Sequence, residues 1–159
     1  MSFDSRQFRN ALGKFATGVC VITGETAAGE AFGMTVNSFA SVSLDPPLVL
    51  WSLQNNSEMY ATFEHCHRWA VNILRLDQQE LSNRYAKKGD HSLLAEDVEA
   101  GAHGMPVLPH SLVSLECELE ARYPGGDHAI LVARVLGMTE REQGAPLLFC
   151  NGGYAALAS

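Results

Sequence analysis

Apolar residues fall at Phe8, Ala11, Leu12 and Phe15 behind Asp4-Ser5, the spacing of a helix that buries one face. Gly18 is placed to end that helix, and the β-branched run Val19-Cys20-Val21-Ile22-Thr23 predicts a strand. Ala28-Gly29-Glu30 reads as a hairpin turn into a second strand, Ala31 to Val36. Pro46-Pro47 interrupts the chain ahead of a buried strand over Leu48 to Leu53. Asn55-Asn56-Ser57 then offers caps for a short helix carrying Met59, Tyr60 and Phe63, and Trp69 to Leu74 is again strand-like.

A further helix starts at Asp77 and Glu80, which have capping-box spacing and are flanked by Leu76 and Leu81 at staple positions. It should run to about Lys88 and close at Gly89. Residues 90–112 form a long irregular connection, a candidate lid. Beyond it Leu115, Cys117, Leu119, Ala121 and Tyr123 alternate with Ser114, Glu116, Glu118, Glu120 and Arg122, which predicts a half-buried antiparallel strand with a solvated carboxylate face. Pro124-Gly125-Gly126-Asp127 turns it back into an apolar strand from Ala129 to Gly137, and Leu147 to Cys150 forms the last. With no repeat and no linker, the pattern predicts a mainly β fold. It is a single domain over residues 1–159, one antiparallel barrel with peripheral short helices.

Charge narrows the partners. Eleven Lys and Arg against 18 Asp and Glu give a net charge of −7 over 159 residues, a surface that repels nucleic-acid backbones. No apolar run reaches the length that spans a bilayer, and the first ten residues lack a signal peptide's apolar centre. Cys20, Cys66, Cys117 and Cys150 are scattered and form no CxxC, as expected of buried thiols in the cytoplasm.

Most familiar chemistry is absent: there is no Rossmann GxGxxG, P-loop, GxSxG or HExxH. His65-Cys66-His67 matches no common zinc spacing, so no metal is expected. The unusual feature is Gly33-Met34-Thr35-Val36-Asn37-Ser38-Phe39-Ala40-Ser41, a polar run where a strand should finish. Its Gly would let backbone approach a ligand, while Thr, Asn and Ser supply neutral donors and acceptors for a planar ring. A strand end with a bulge and turn explains the same residues equally well. Arg84 to Lys88 is the densest basic patch, suited to a diphosphate or to a solvated helix C-terminus.

That polar run, continued by Ser41-Val42-Ser43-Leu44-Asp45-Pro46-Pro47-Leu48-Val49, resembles the signature of the flavin reductase-like, FMN-binding split-barrel family. Phe15 to Val19, Ala70 to Leu74, Gln78 to Ser82, Leu115 to Cys117, Gly126-Asp127-His128, Pro146 to Phe149 and Tyr154 match in the same order. The resemblance implies an antiparallel split β-barrel with Greek-key character, forming a homodimer with sites near the subunit interface. It implies NAD(P)H:flavin oxidoreduction, with FAD or FMN as cofactor or diffusing substrate and NADH or NADPH as hydride donor. Reduced flavin would pass to a transient monooxygenase partner.

Carried over by residue, Met34, Thr35, Val36, Asn37 and Ser38 would line the isoalloxazine and ribityl part. Trp51, Ser52 and Leu53, with Ser57 at a helix N-cap, would meet the ribityl phosphate. Arg84, Tyr85 and Ala86 would lie by the outer portion of the flavin. His128 would position the nicotinamide, with no protein acid or base required, and Tyr154 would sit at the edge. Gln54, Asn55 and Met59 depart from the basic residue and Thr that relatives often carry, which leaves FMN against FAD open. A flavin-binding protein without turnover, or a flavoenzyme reducing an organic substrate directly, are the alternatives.

Overall fold

The computed structural model describes residues 2–141 and 143–158. Its elements begin with α1 (Ser5–Leu12), β1 (Thr17–Gly18), β2 (Cys20–Glu25), β3 (Ala31–Val36), β4 (Ala40–Leu44) and β5 (Pro47–Gln54). Then come α2 (Tyr60–His65), β6 (Arg68–Ile73), α3 (Gln79–Ala86), β7 (Glu99–Ala100) and β8 (Pro106–Val107). The long hairpin β9 (Val113–Gly125) and β10 (His128–Glu140) precedes the short strands β11 (Leu148–Cys150) and β12 (Gly153–Ala155). Seven strands form one antiparallel sheet in the order β3-β2-β6-β9-β10-β5-β4. Among the described residues no ladder joins its edge strands β3 and β4, so the sheet curls into a barrel that stays split along that seam.

The inward faces of these strands bury Trp51, Trp69, Phe63 and Phe32. The rings meet edge to face at centroid separations of 4.9 to 5.9 Å, the geometry their quadrupoles favour. A second apolar cluster, Val19, Val21, Leu74, Tyr85, Leu108 and Leu147, lies where α3 packs on the outside of the sheet.

Several sequence expectations change here for identifiable reasons. The N-terminal helix exists and is capped by Asp4, whose carboxylate accepts from the Gln7 N–H at 2.7 Å. It ends at Leu12 with Gly13 as C-cap, before Gly18, and none of its residues is buried. The Asp77–Glu80 box does not form. A 3-10 turn over Leu76–Gln78 precedes α3, Gln78 Oε1 accepts from the Arg75 N–H, and Asp77 instead pairs with the Arg75 guanidinium at 2.7 Å. Helix α3 itself ends at Ala86, short of Lys88.

The alternating strand is solvated only in part. Ser114 is 1% and Glu116 2% exposed, because residues 99–108 lie across their face. Glu116 Oε2 accepts from the N–H groups of His103 at 2.9 Å and Met105 at 3.3 Å. Further along, a bulge between the Leu119–Ala133 and Ala121–Val132 pairs shifts the side-chain parity by one. Arg122 is thereby half-buried and donates to the Phe63 carbonyl at 2.6 Å, while Tyr123 is exposed.

The connection over residues 90–112 is not a lid. Its first part adds to the edge of β3 through the Phe32–Ser92 bridge, and its second part buries Met105, Val107 and Leu108 against the sheet. Asn72 anchors it from β6. Its Nδ2 donates to Val21 O and Thr23 Oγ1, and its Oδ1 accepts from Leu108 N and Ser114 Oγ.

Candidate functional site

The seam opens a cleft. The β4–β5 register starts at Ala40 opposite Leu50, so beyond Leu50 strand β5 has no β4 partner. Ser38 fills part of that gap: its hydroxyl donates to Ser52 O at 3.2 Å and accepts from the Ser52 N–H at 2.9 Å. A cleft of about 290 Å³ remains, walled on one side by Met34, Thr35, Val36, Asn37 and Ser38 and on the other by Ser52, Leu53, Gln54, Ser57 and His128. His128 arrives because the β10–β5 register pairs it with Gln54. A two-residue turn aims it, with Gly126 at φ +70°, a conformation that favours glycine.

Donors and acceptors left over in this cleft define what it can hold. The Asn37 amide and the backbone N–H groups of Asn37 and Ser38 have no partner among the described residues. Ser57 Oγ accepts from the Met59 N–H at 3.1 Å, which leaves its own proton free to donate. Ser57 is not the N-cap of α2: that place belongs to Met59, and the helix has six residues. The His128 ring contacts Asp127 through Nδ1 at 2.7 Å, which leaves Nε2 unpaired among the described residues. Met34, Val36 and Leu53 supply apolar surface. An uncharged donor set around an apolar wall fits a planar, hydrogen-bonding heterocycle.

A second, larger groove of about 1140 Å³ shares Asn37 and Ser38 with this cleft and runs along α1, past Leu12, Phe15, Thr17 and Phe149. Thr17 Oγ1 is buried there without a partner among the described residues.

Other predicted site residues lie elsewhere. The Trp51 indole is fully buried in the aromatic core, so only its neighbours Ser52 and Leu53 reach the cleft. Tyr85 is buried beneath β3, its hydroxyl donating to Asp97 at 2.8 Å. Its ring explains Gly33: a Cβ at that position would stand 3.1 Å from Tyr85 and from Leu93. The close approach that this glycine permits is therefore to the chain's own side chains and not to a ligand.

Arg84 pairs with Asp97 at 2.6 Å, and that carboxylate raises the guanidinium pKa further. Arg84 lines a separate polar cleft with Arg75 and His110, and Ala86 is exposed outside both. Tyr154 stands behind the site, donating to Asn83 Oδ1 at 2.9 Å, with its hydroxyl 2.6 Å from Ser82 Oγ. Through Thr35, which donates to the Ser82 carbonyl at 2.7 Å, the same helix also braces β3. Among the described residues no group of His, Cys, Asp and Glu could hold a metal.

Gln54, which the sequence marks only as a departure from what relatives carry, is itself a cleft residue. The only signal for it was its pairing with His128, which requires the β5–β10 register. Glu58 and His91 were also missed. Glu58 follows Ser57 directly, and its carboxylate accepts from the Gly89 N–H at 2.6 Å and meets His91 Nε2 at 2.6 Å.

Residues 12–158 match the family model described as flavin reductase like domain. The FMN reductase (NADH) SmoA of Agrobacterium fabrum is 46% identical over 151 residues, 95% of this chain and 85% of that protein. The solved structure of flavin reductase PheA2 superposes with a TM-score of 0.90 at 39% identity, covering 99% of this chain and 100% of the other. The NADH:FAD oxidoreductase SgcE6 of Streptomyces globisporus, solved with NAD and FAD fragments, matches at a TM-score of 0.90 and 33% identity, covering 98% and 93% of the two chains. With a split antiparallel barrel, a neutral donor cleft at its seam and a family match along nearly all its length, this chain belongs to the flavin reductase like domain family.

Proposed function

We propose that this chain is an NADH-dependent flavin reductase that supplies reduced FMN or FAD to a partner monooxygenase. The observation that carries this reading is the seam cleft, where unpaired donors at Asn37 and Ser38 face His128 across an apolar floor. Met34, Val36 and Leu53 would lie against the flavin ring, with the Asn37 and Ser38 N–H groups at its polar edge. The free Ser57 hydroxyl and the Glu58 N–H, which has no partner among the described residues, would take the phosphate end. Flavin bound there supplies the chemistry, accepting hydride from the nicotinamide.

The chain's own residues position both rings and need neither gain nor lose a proton in the hydride step. Asp127 holds His128 by Nδ1, which leaves Nε2 facing the place the nicotinamide carboxamide would take. Backbone N–H groups at Asn37 and Ser38 favour the negative charge that the reduced ring carries. NADPH is the alternative donor, its choice depending on contacts to the ribose.

The assembly proposed is a homodimer. Phe3, Phe8, Leu12 and Phe15 on and beside α1 are all half or more exposed, and the apolar groove beneath them opens onto Asn37 and Ser38. A cytoplasmic home suits a nicotinamide-dependent enzyme whose Cys20, Cys66 and Cys117 are free and buried. No helix among the described residues is long and apolar enough to cross a membrane.

The test is NADH consumption by the purified chain with FMN, FAD, riboflavin or no flavin, repeated with NADPH. Flavin-dependent oxidation is expected. Folded protein that oxidises neither nucleotide with any flavin would leave a binding protein without turnover.

A further inference from the structure

The seam cleft is lined by no Lys, Arg, Asp or Glu, but the groove of about 1140 Å³ that meets it at Asn37 and Ser38 carries charge of one sign. Arg9, in the last turn of α1, and Lys14 line that groove, and no carboxylate among the described residues does. Neither cation forms a salt bridge among those residues. On a chain of net charge −7 this is a local reversal of sign. The cleft around Arg75 and Arg84 differs: Asp77, Glu80, Glu96 and Asp97 line it too, and two of them already pair with its guanidinium groups.

Apolar surface lies beside that charge. Leu12, Phe15 and Phe149 line the same groove, and Phe15 is 79% exposed, so its ring is available for stacking. The groove's rim is held in place, because the Asn151 N–H donates to Gly13 O at 2.7 Å and ties the β11–β12 turn to the end of α1. Cations for phosphate oxygens and aromatic rings for a base together suit an adenosine diphosphate. A cleft of about 290 Å³ takes one ring system, so the rest of a dinucleotide has to lie outside it. The groove joins the cleft at Asn37 and Ser38, the proposed polar edge of the flavin ring, and does not include Ser57, the proposed place of the flavin phosphate. The adenosine of FAD hangs from that phosphate, whereas NADH reaches the ring from its nicotinamide end. The position of the groove therefore favours NADH as the source of the adenosine.

Resting on the proposed flavin site, we propose that the α1 groove binds the adenosine diphosphate half of NADH, with Arg9 and Lys14 on the diphosphate and Phe15 and Phe149 beside the adenine. Binding energy gathered there, remote from the reacting atoms, holds the nicotinamide over the flavin. Phe3 and Phe8, whose ring centroids lie 5.2 Å apart, do not line the groove and are the apolar surface left for a second copy.

The test compares NADH with reduced nicotinamide mononucleotide, which keeps one phosphate and lacks the adenosine. FMN serves as acceptor, so that NADH brings the only adenosine present. The variants are Arg9→Gln with Lys14→Gln, and Phe15→Ala, all at exposed positions outside the packed core. Loss of two exposed charges should lower kcat/KM by about tenfold with NADH and by about twofold with the mononucleotide. Phe15→Ala should cost about tenfold with NADH alone, because the mononucleotide has no base to stack. Raising the salt concentration should weaken NADH in the wild type more than in the double variant. ADP-ribose, titrated into flavin-free protein by calorimetry, should bind the wild type and lose about tenfold in affinity in the double variant.

Equal losses for NADH and the mononucleotide, or no loss with either, would overturn the assignment. So would a fall in FAD affinity relative to FMN with NADH used as before, which would give the groove to the flavin. A change confined to the oligomeric mass, with ADP-ribose binding unaltered, would give it to a second copy. The calorimetry separates the two levels of the argument. Wild type that turns over NADH with flavin while ADP-ribose binding ignores the substitutions leaves the reductase reading standing and removes the groove. Wild type without turnover that still binds ADP-ribose, more weakly in the variants, removes the reductase reading and keeps the groove.

Discussion

Asn72→Leu is a near-isosteric change at a fully buried position, and it removes four hydrogen bonds at once. The Asn72 amide uses both its protons, on Val21 O at 3.0 Å and Thr23 Oγ1 at 2.9 Å, and accepts from Leu108 N at 3.0 Å and Ser114 Oγ at 2.7 Å. Thr23 keeps a bond to the Pro106 carbonyl, and Ser114 keeps Ser111 and Arg141. The Leu108 N–H has no second partner among the described residues and is left buried and unpaired. Four bonds at about 1 kcal/mol each, less about 1 kcal/mol regained by a buried apolar side chain, give a loss of about 3 kcal/mol.

With a urea slope of about 2 kcal/mol per molar, the midpoint should fall by roughly 1.5 M. Melting should drop by roughly 6–12 °C at fixed protein concentration. None of the four hydrogen-bond partners of Asn72 lines the cleft, so FMN affinity measured in the cold should stay at the wild-type value. A midpoint shift below about 0.5 M with an unchanged slope would refute the reasoning that this amide fastens residues 99–112 to the sheet.

Three further outcomes are expected. Gly33→Ala should destabilise the fold by about 1–3 kcal/mol, seen as a lower urea midpoint, because its Cβ would press on Tyr85 and Leu93. His128→Ala should raise the NADH KM by about tenfold, and a loss confined to kcat would contradict a positioning role. Burial pushes Cys20 and Cys117 up to about 12 and raises Cys66, so a thiol reagent at mildly alkaline pH should label Cys150 alone in native protein and all four thiols in denaturant.

A fourth concerns acid. The Gly89 N–H and then His91 lower the Glu58 pKa, so this contact stabilises the fold above the unfolded carboxylate value. It is lost as pH falls through the lowered folded value. Glu58→Gln should flatten that part of the stability profile, and an identical profile would count against the contact.

Periodicity carried six of the seven strands of the main sheet, because each is edged by a turn residue and faces one core; it missed the edge strand β4 (Ala40–Leu44), which is mostly exposed and carries no buried alternating face. It failed where a second layer intervened. Glu116 alternates correctly on β9, but nothing local announces that residues 101–105 will cover it and offer two N–H groups to its carboxylate. Arg122 shows another limit: the bulge that turns it inward depends on the pairing with β10 and not on its neighbours in sequence. The cleft was half legible. Met34 to Ser38 are contiguous and stood out as polar residues at a strand end, whereas Ser52, Leu53, Ser57 and His128 of the opposite wall, assembled from β5 and β10 by register, were named only through the family resemblance. Arg84 and Tyr85 looked available as a basic and aromatic pair, and only the fold reveals Asp97 engaging both.

The central claim is that the seam cleft is where a nicotinamide reduces a flavin. Its most direct test is an anaerobic stopped-flow experiment on the wild type and Asn37→Ala, following flavin and nicotinamide absorbance together after mixing with NADH. Equimolar loss of both signals is expected in the wild type, with Asn37→Ala requiring several-fold more flavin to reach its limiting rate. Equal flavin dependence in the two proteins would place the reaction outside the cleft, and no flavin bleaching at all would contradict the proposed activity.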